Sequence, residues 1–319
     1  MAAFLIRRLV HAIPILFLVS LIVFLLLRWL PGDPAQLILG QEATPEALAA
    51  LRTKLGLDRP LPVQYVTWLA GVVRGDLGVS LITNQPVLQV ILSKLPPTVE
   101  LAVGAFTFSL LVAIPAGIIS ATRRGSAADY AATMFAFAGL SIPNFWLGIM
   151  LLLFFAVQLK WLPASGYVPL WQDPSQNLKV MVLPILATGM REAAIVTRQM
   201  RSSLLETLGQ DYIRTAWAKG LRERAVLFGH AFKNGLIPII TVGGLQIAGL
   251  LGGLVITEQV FSIPGFGRLI VDSIFNRDFT MVQGAVLVAA VIVVLVNILV
   301  DVLYAFIDPR IKLAASEVA

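Results

Sequence analysis

Residues 279–300 read FTMVQGAVLVAAVIVVLVNILV, twenty-two consecutive positions without a charged side chain. At about 1.5 Å of rise per residue, a helix of this length crosses the roughly 30 Å hydrocarbon core of a bilayer. Uncharged stretches of similar character occupy 9–27, 101–122, 130–159 and 234–257, and a sixth, 180–197, is interrupted only by Arg191 and Glu192. The expectation is an all-α, polytopic membrane protein with six transmembrane helices. Composition agrees: of 319 residues 58% are hydrophobic and 13% charged, where a soluble domain carries about a quarter charged.

The first run follows Arg7 and Arg8. It is long for a signal-peptide core, and no small-x-small cleavage pattern follows it, so it reads as an uncleaved first span. The chain has no cysteine, which excludes disulfides and thiolate chemistry. A sequence pI near 9.8 invites a nucleic-acid reading, but the basic residues are placed otherwise. With six spans and an inner N-terminus, thirteen Lys and Arg fall in the inner segments 7–8, 122–129, 198–233 and the tail, while the longer outer segments hold fewer. That bias predicts cytoplasmic N- and C-termini and no nucleic-acid partner.

The expected organisation is a tail and first span over 1–30, an outer helical segment over 31–97, a core over 98–308 and a cytoplasmic tail over 309–319. In the outer segment, Thr44-Pro45-Glu46 reads as a helix start and Gly56 as a stop, and a second short helix runs from Pro62 to Arg74. Arg123-Arg124-Gly125-Ser126 makes a tight basic turn, and Trp161 and Trp171 suit an interfacial aromatic belt. In 261–278, FSIPGFGRLIVDSIFNRD, a Pro264-Gly265 turn precedes a short helix with Phe266, Leu269, Ile270, Ser273 and Ile274 on one face. Gly249 and Gly253 form a G-x-x-x-G that allows close helix packing.

The chemistry of an enzyme is missing from the sequence. There is no G-x-x-x-x-G-K-[ST] loop, no H-E-x-x-H and no G-x-S-x-G, and the only histidines are His11 and His230. Few titratable groups lie deep in the spans, which speaks against an ion-gradient-driven secondary transporter and, with the missing motifs, against an intramembrane protease or lipid-modifying enzyme. Arg191 and Glu192 are the exception, roughly 15 Å into the membrane if Arg201 marks its surface. They admit two readings, a charge met by a partner helix at an interface or a polar lining for cargo with charged termini.

Between two of these spans lies a polar stretch, 211–221, DYIRTAWAKGL. Asp211 reads as an N-cap, Lys219 falls in the last turn, and Gly220 fits the position just past the helix. Ile213, Ala216, Trp217 and Leu221 form an apolar stripe at helical spacing. A helix of two turns is marginal alone in water, so it must dock, either on its own bundle and the headgroups or on a partner protein.

DYIRTAWAKGL followed by HAFKNGLIP resembles the EAA loop of ATP-binding-cassette importer permeases of the peptide/nickel family. LPGDPA (30–35), LGLDRPLPVQY (55–65), RGDLGVS (74–80), LPPTVELA (95–102), SIPNFWLG (141–148), RQMRSSLLE (198–206) and ITEQVFSIPGFGRLIVDSI (256–274) extend the resemblance along nearly the whole chain. It matches the first of the two permease subunits such importers pair.

The resemblance implies a type I ABC importer permease fold in the bacterial cytoplasmic (inner) membrane. It implies a second homologous permease, two ABC ATPase subunits carrying ATP and Mg, and an extracytoplasmic solute-binding protein, with no cofactor in this chain and surrounding membrane lipid. The cargo would be di- or oligopeptides, with nickel, glutathione or another small solute as alternatives. The loop would be a coupling helix within 201–234, contacting the ATPase through Asp211, Tyr212, Arg214, Thr215, Ala216, Lys219, Gly220, Leu221 and Arg224. Arg214, Thr215 and Ala216 stand where the wider superfamily has Glu-Ala-Ala, and Lys233 replaces its usual proline. Arg191, Glu192 and Asn144 are candidates for the cargo path. Glu258, Pro264, Gly265 and Gly267 are candidates for an outer gate.

Overall fold

The computed structural model describes residues 2–29, 34–39, 44–54 and 56–307. The tail expected over 309–319, and Pro31, Gly32 and Asp33 of LPGDPA, lie outside the described residues. In chain order the helices are α1 (Ala2–Trp29), α2 (Pro34–Leu39), α3 (Pro45–Lys54), α4 (Leu61–Val73), α5 (Val87–Thr122), α6 (Ala127–Ser141) and α7 (Asn144–Leu151), the last running on as a π-helical turn, Leu152–Gln158. There follow α8 (Pro174–Leu208), α9 (Asp211–Ala218), α10 (Glu223–Val226) with a π-helical turn Leu227–Ala231, α11 (Phe232–Gly235), α12 (Ile237–Gly253), α13 (Val255–Val260), α14 (Phe266–Phe275) and α15 (Phe279–Ile307). Among the described residues, β-structure is limited to one bridge, Val79 to Pro86.

Four helices are long and apolar enough to cross a membrane unaided: the 6–26 part of α1, α5, α8 and the 279–302 part of α15. Two bent pairs, α6 with α7 and its π turn at 101° and α10–α11 with α12 at 46°, bring the number to six where each counts as one broken span. The apolar run 130–159 is therefore not the single straight helix its composition suggests. Ile142 precedes Pro143 and takes an extended backbone, φ −84° and ψ 123°, because the proline ring disfavours helical geometry in the residue before it. The α6 ladder closes with Ile142 N–H donating to the Ala138 carbonyl, and the chain restarts after Pro143 in a new direction.

The chain divides into two compact units, one of Met1–Pro96 with Gly265–Leu295 and the other of Pro97–Pro264 with Val296–Ala319. In the first, α4 rests on α1. Tyr65 meets Phe24 at 5.4 Å between ring centroids and shares a 2.8 Å hydrogen bond with Ser20. Thr44 Oγ1 accepts the Ala47 N–H at 3.3 Å, the N-cap that Thr44-Pro45-Glu46 predicts. Gly56 has φ +65°, the left-handed stop expected there. The 76–86 loop is tied to the α14–α15 corner: Ser80 Oγ donates to Asp278 at 2.5 Å, and Asp278 also accepts the Leu81 and Met281 N–H groups. The face expected on α14 is present, with Phe266 and Ser273 buried and Leu269 and Ile270 half-buried, but Ile274 is exposed.

In the second unit, α8 is the central helix, packed against α5 and α6 through small residues. A Cβ on Gly117 would lie 2.5 Å from Met200 Cβ, and one on Gly189 would lie 2.8 Å from the Ala105 carbonyl. Membrane helices gain contact by this kind of close approach, since apolar surface has no drive to leave lipid. In the G-x-x-x-G at 249–253, only Gly249 is described at the side-chain level, and it makes no such approach among the described residues. Gly249 has nothing within 4 Å, whereas Gly243 faces Phe106 and Gly244 faces Val300.

α8 begins at Asp173, whose carboxylate accepts the Ser175 and Gln176 N–H groups at 3.0 Å. The Gln176 N–H and the Ser175 hydroxyl hold that carboxyl below its ordinary pKa. The preceding loop is pinned by Glu100, which accepts from the Tyr167 hydroxyl at 2.8 Å and from Asn177. Burial, and then the Glu100 carboxylate, push the Tyr167 hydroxyl well above its ordinary pKa.

Candidate functional site

α9 is eight residues long and presents two different sides. Ile213 is fully buried and Ala216 is 6% exposed, in one cluster with Val196, Met200, Leu204, Val226 and Ala231. Asp211, Tyr212, Arg214, Thr215, Trp217, Lys219, Gly220, Leu221 and Arg224 are exposed. The predicted apolar stripe is thus split: Ile213 and Ala216 hold the helix to its own bundle, while Trp217 and Leu221 remain outside.

The ends of α9 explain its short length. The Gly220 N–H donates to the Trp217 carbonyl at 2.9 Å and the Leu221 N–H to the Ala216 carbonyl at 3.4 Å, with Gly220 at φ +75°. This is a Schellman stop, in which a left-handed residue lets the chain cap its own last carbonyls. The start differs from expectation. Gln210, extended at φ −75° and ψ 151°, is the N-cap and makes no side-chain cap bond, so Asp211 is the first helical residue. The Gly209-Gln210 turn sets this register, with the Gln210 N–H on the Thr207 carbonyl. Asp211 acts there through its charge at the positive helix end and meets Arg214 at 3.4 Å.

Two ties hold this end of the unit. Asn234 Nδ2 donates to the Tyr212 hydroxyl at 2.9 Å. Arg201 donates to Asp129 through Nε at 2.8 Å and Nη2 at 3.0 Å, and Asp129 also accepts from Ser120 and from the Gly125 N–H. Sequence reasoning passed over Asp129. Its signal was S-A-A-D at 126–129, a capping pattern, realised as the Asp129 N–H on Ser126 Oγ at 3.3 Å. Over 211–233 the chain carries Arg214, Lys219, Arg222, Arg224 and Lys233 against Asp211 and Glu223, so this surface is net positive.

The other predicted residues belong to other elements. Arg191 is exposed and Glu192 half-buried, and neither is in an ion pair among the described residues. The Glu192 carbonyl accepts from Gln246 Nε2 at 3.1 Å, leaving the buried Gln246 Oε1 without a partner. Asn144 is half-buried at the start of α7. Glu258 is fully buried and accepts from Thr98 Oγ1 at 2.6 Å, next to a Thr188–Thr257 hydrogen bond of 3.1 Å. Pro264 is half-buried, Gly265 is the extended N-cap of α14, and Gly267 is buried in its first turn. Among the described residues no group of three His, Cys, Asp or Glu could hold a metal ion.

Comparison with known proteins gives the family of the chain. Residues 113–313 match the model of the binding-protein-dependent transport system inner membrane component, and residues 1–102 match its N-terminal companion. The chain belongs to this family of transport permeases. It is 43% identical to the probable peptide ABC transporter permease protein y4tP of Sinorhizobium fredii, over 98% of this chain and all of that one. It is 38% identical to the dipeptide transport system permease protein DppB of Escherichia coli, over 98% and 99%. Among solved structures it resembles the MetNI methionine ABC transporter in inward-facing conformations, with TM-score 0.56 and 17% identity over 69% of this chain and 97% of that chain. At that identity the likeness shows the fold alone, while the family rests on the matched models and relatives. The permease is therefore a multi-pass protein of the bacterial inner membrane.

Proposed function

We propose that the chain is one permease subunit of an ATP-driven importer of di- or oligopeptides and that α9 is its coupling helix. Full-length likeness to permeases named for peptide, dipeptide and oligopeptide transport supports the cargo. The single observation that carries the coupling role is the two-sided α9, anchored by Ile213 and Ala216 and exposed along Asp211, Arg214, Thr215 and Lys219.

A helix held rigidly to the bundle on one side transmits displacement, and a free polar side offers a partner something to grip. The grip would belong to an ABC ATPase, one of two that carry ATP and Mg. A second homologous permease and an extracytoplasmic binding protein complete the assembly, with both termini of this chain in the cytoplasm. ATP binds the closed ATPase pair better than the open one, and that difference drives alternating access. Glu258 and the turn Pro264, Gly265 and Gly267 would close the outer mouth, with Arg191, Glu192 and Asn144 along the cargo path.

The test is a cysteine at Thr215, crosslinked in membranes that contain the co-expressed ATPases. Crosslinking to an ATPase that changes with ATP supports the reading, and no product from Thr215→Cys, Arg214→Cys or Lys219→Cys rejects it.

A further inference from the structure

We propose that the groove between α6 and α8 holds the phosphate headgroup of an anionic phospholipid, in the leaflet next to α9. The groove encloses about 420 Å³, within the range of ligand-binding cavities. Its polarity runs in the sense of a bilayer. Arg201 and Ser202 line its end toward α9, Arg198 and Gln199 follow, and Phe137 and Ile195 line the part deeper in the spans. No acidic residue is among its lining residues.

The two arginines differ. Arg201 is engaged with Asp129 through Nε and Nη2. Arg198 is exposed and has no ion pair among the described residues, so it is the cation free to meet a phosphate. On the same helix Tyr130 and Met134, beside the groove, and Phe137, at its deeper part, are 66%, 71% and 59% exposed. At spacings of four and three residues they form one apolar stripe on α6, suited to acyl chains. A basic pocket between spans with an apolar continuation recognises an anionic headgroup attached to hydrocarbon. A partner helix or a cargo carboxylate would satisfy only one of those two features. The inference depends on the membrane-spanning fold and not on the cargo or on α9.

The test is native mass spectrometry of the full chain with its co-purifying partners in non-ionic detergent, given phosphatidylglycerol, phosphatidylcholine or glycerol phosphate. Phosphatidylglycerol should remain bound under activation that strips phosphatidylcholine, and glycerol phosphate should not displace it. Arg198→Gln should lower phosphatidylglycerol retention about fivefold, the contribution of one arginine at an anionic surface. Arg123→Gln, on the exposed turn outside the groove, should leave retention unchanged. If Arg198→Gln is not monodisperse, Ser202→Glu, which sets a carboxylate at the polar end, should produce the same loss. Equal retention of the two lipids, or full retention in Arg198→Gln or Ser202→Glu, overturns the proposal. Displacement by glycerol phosphate also overturns it, in favour of a free-phosphate site.

Discussion

Arg201 and Asp129 are 72 residues apart in sequence and joined by two hydrogen bonds of 2.8 and 3.0 Å. With Ser120 and the Gly125 N–H on the same carboxylate, the pair ties the end of α5, the basic turn, the start of α6 and the end of α8 into one block. α9 is seated on the side of that block through Met200 and Leu204, which lie about one turn apart on α8. A displacement of α9 is expected to reach several helices at once, because packed interiors transmit strain.

Breaking the pair on one side only should be worse than removing both charges. Arg201→Gln leaves Asp129 buried without its cation, and Asp129→Asn leaves the guanidinium unpaired. Each single variant should lower the thermal midpoint in detergent, and the double variant should lose less than the sum of the two. Strict additivity in that cycle would mean the pair is incidental.

Gly220→Val should strain the left-handed stop of α9 by about 1–3 kcal/mol while leaving the spans inserted. Peptide uptake should fall at least tenfold with near-normal amounts of membrane protein. Uptake at the parental rate would show that the geometry after α9 does not matter.

Ala216→Glu acts differently from its position in the motif alone. Ala216 is on the inner side of α9, so a carboxylate there must either enter the apolar cluster or lift the helix off it. Transport should be abolished and the 211–221 segment should become sensitive to protease. Retained protection would place the new carboxylate outside the cluster and contradict the inward orientation.

The Glu100 clasp gives a pH-dependent prediction. Tyr167 keeps its proton more tightly in the folded chain than in the unfolded one, so its contribution is full below the ordinary tyrosine pKa and shrinks as pH rises above it. Tyr167→Phe should cost about 1 kcal/mol at neutral pH. The difference in thermal midpoint between parent and variant should narrow above a pH of about 10, and a constant difference would rule the clasp out as its source.

Much of this was legible in the sequence for plain reasons. Long uncharged runs have one stable home, so the spans were readable, and Gly220 announced a helix stop because left-handed backbone favours glycine. SIPNF carried the break in the third span, since Ile142 before Pro143 is barred from the helix, but the apolar composition on both sides concealed it. The split of α9 into inner and outer sides was not readable, because Ala216 and Trp217 are both apolar neighbours and only the fold decides which is covered. Asp129 could be read as a local cap but not as the partner of Arg201, since nothing local pairs residues so far apart.

The central claim is that this permease is moved by ATP hydrolysed on other subunits. The most direct measurement is uptake of a labelled dipeptide into proteoliposomes, comparing the chain alone under proton and sodium gradients with the chain plus its co-purifying ATPases, second permease and binding protein. The account predicts uptake only in the assembled complex with ATP. Gradient-driven uptake by the chain alone, without nucleotide, would contradict it.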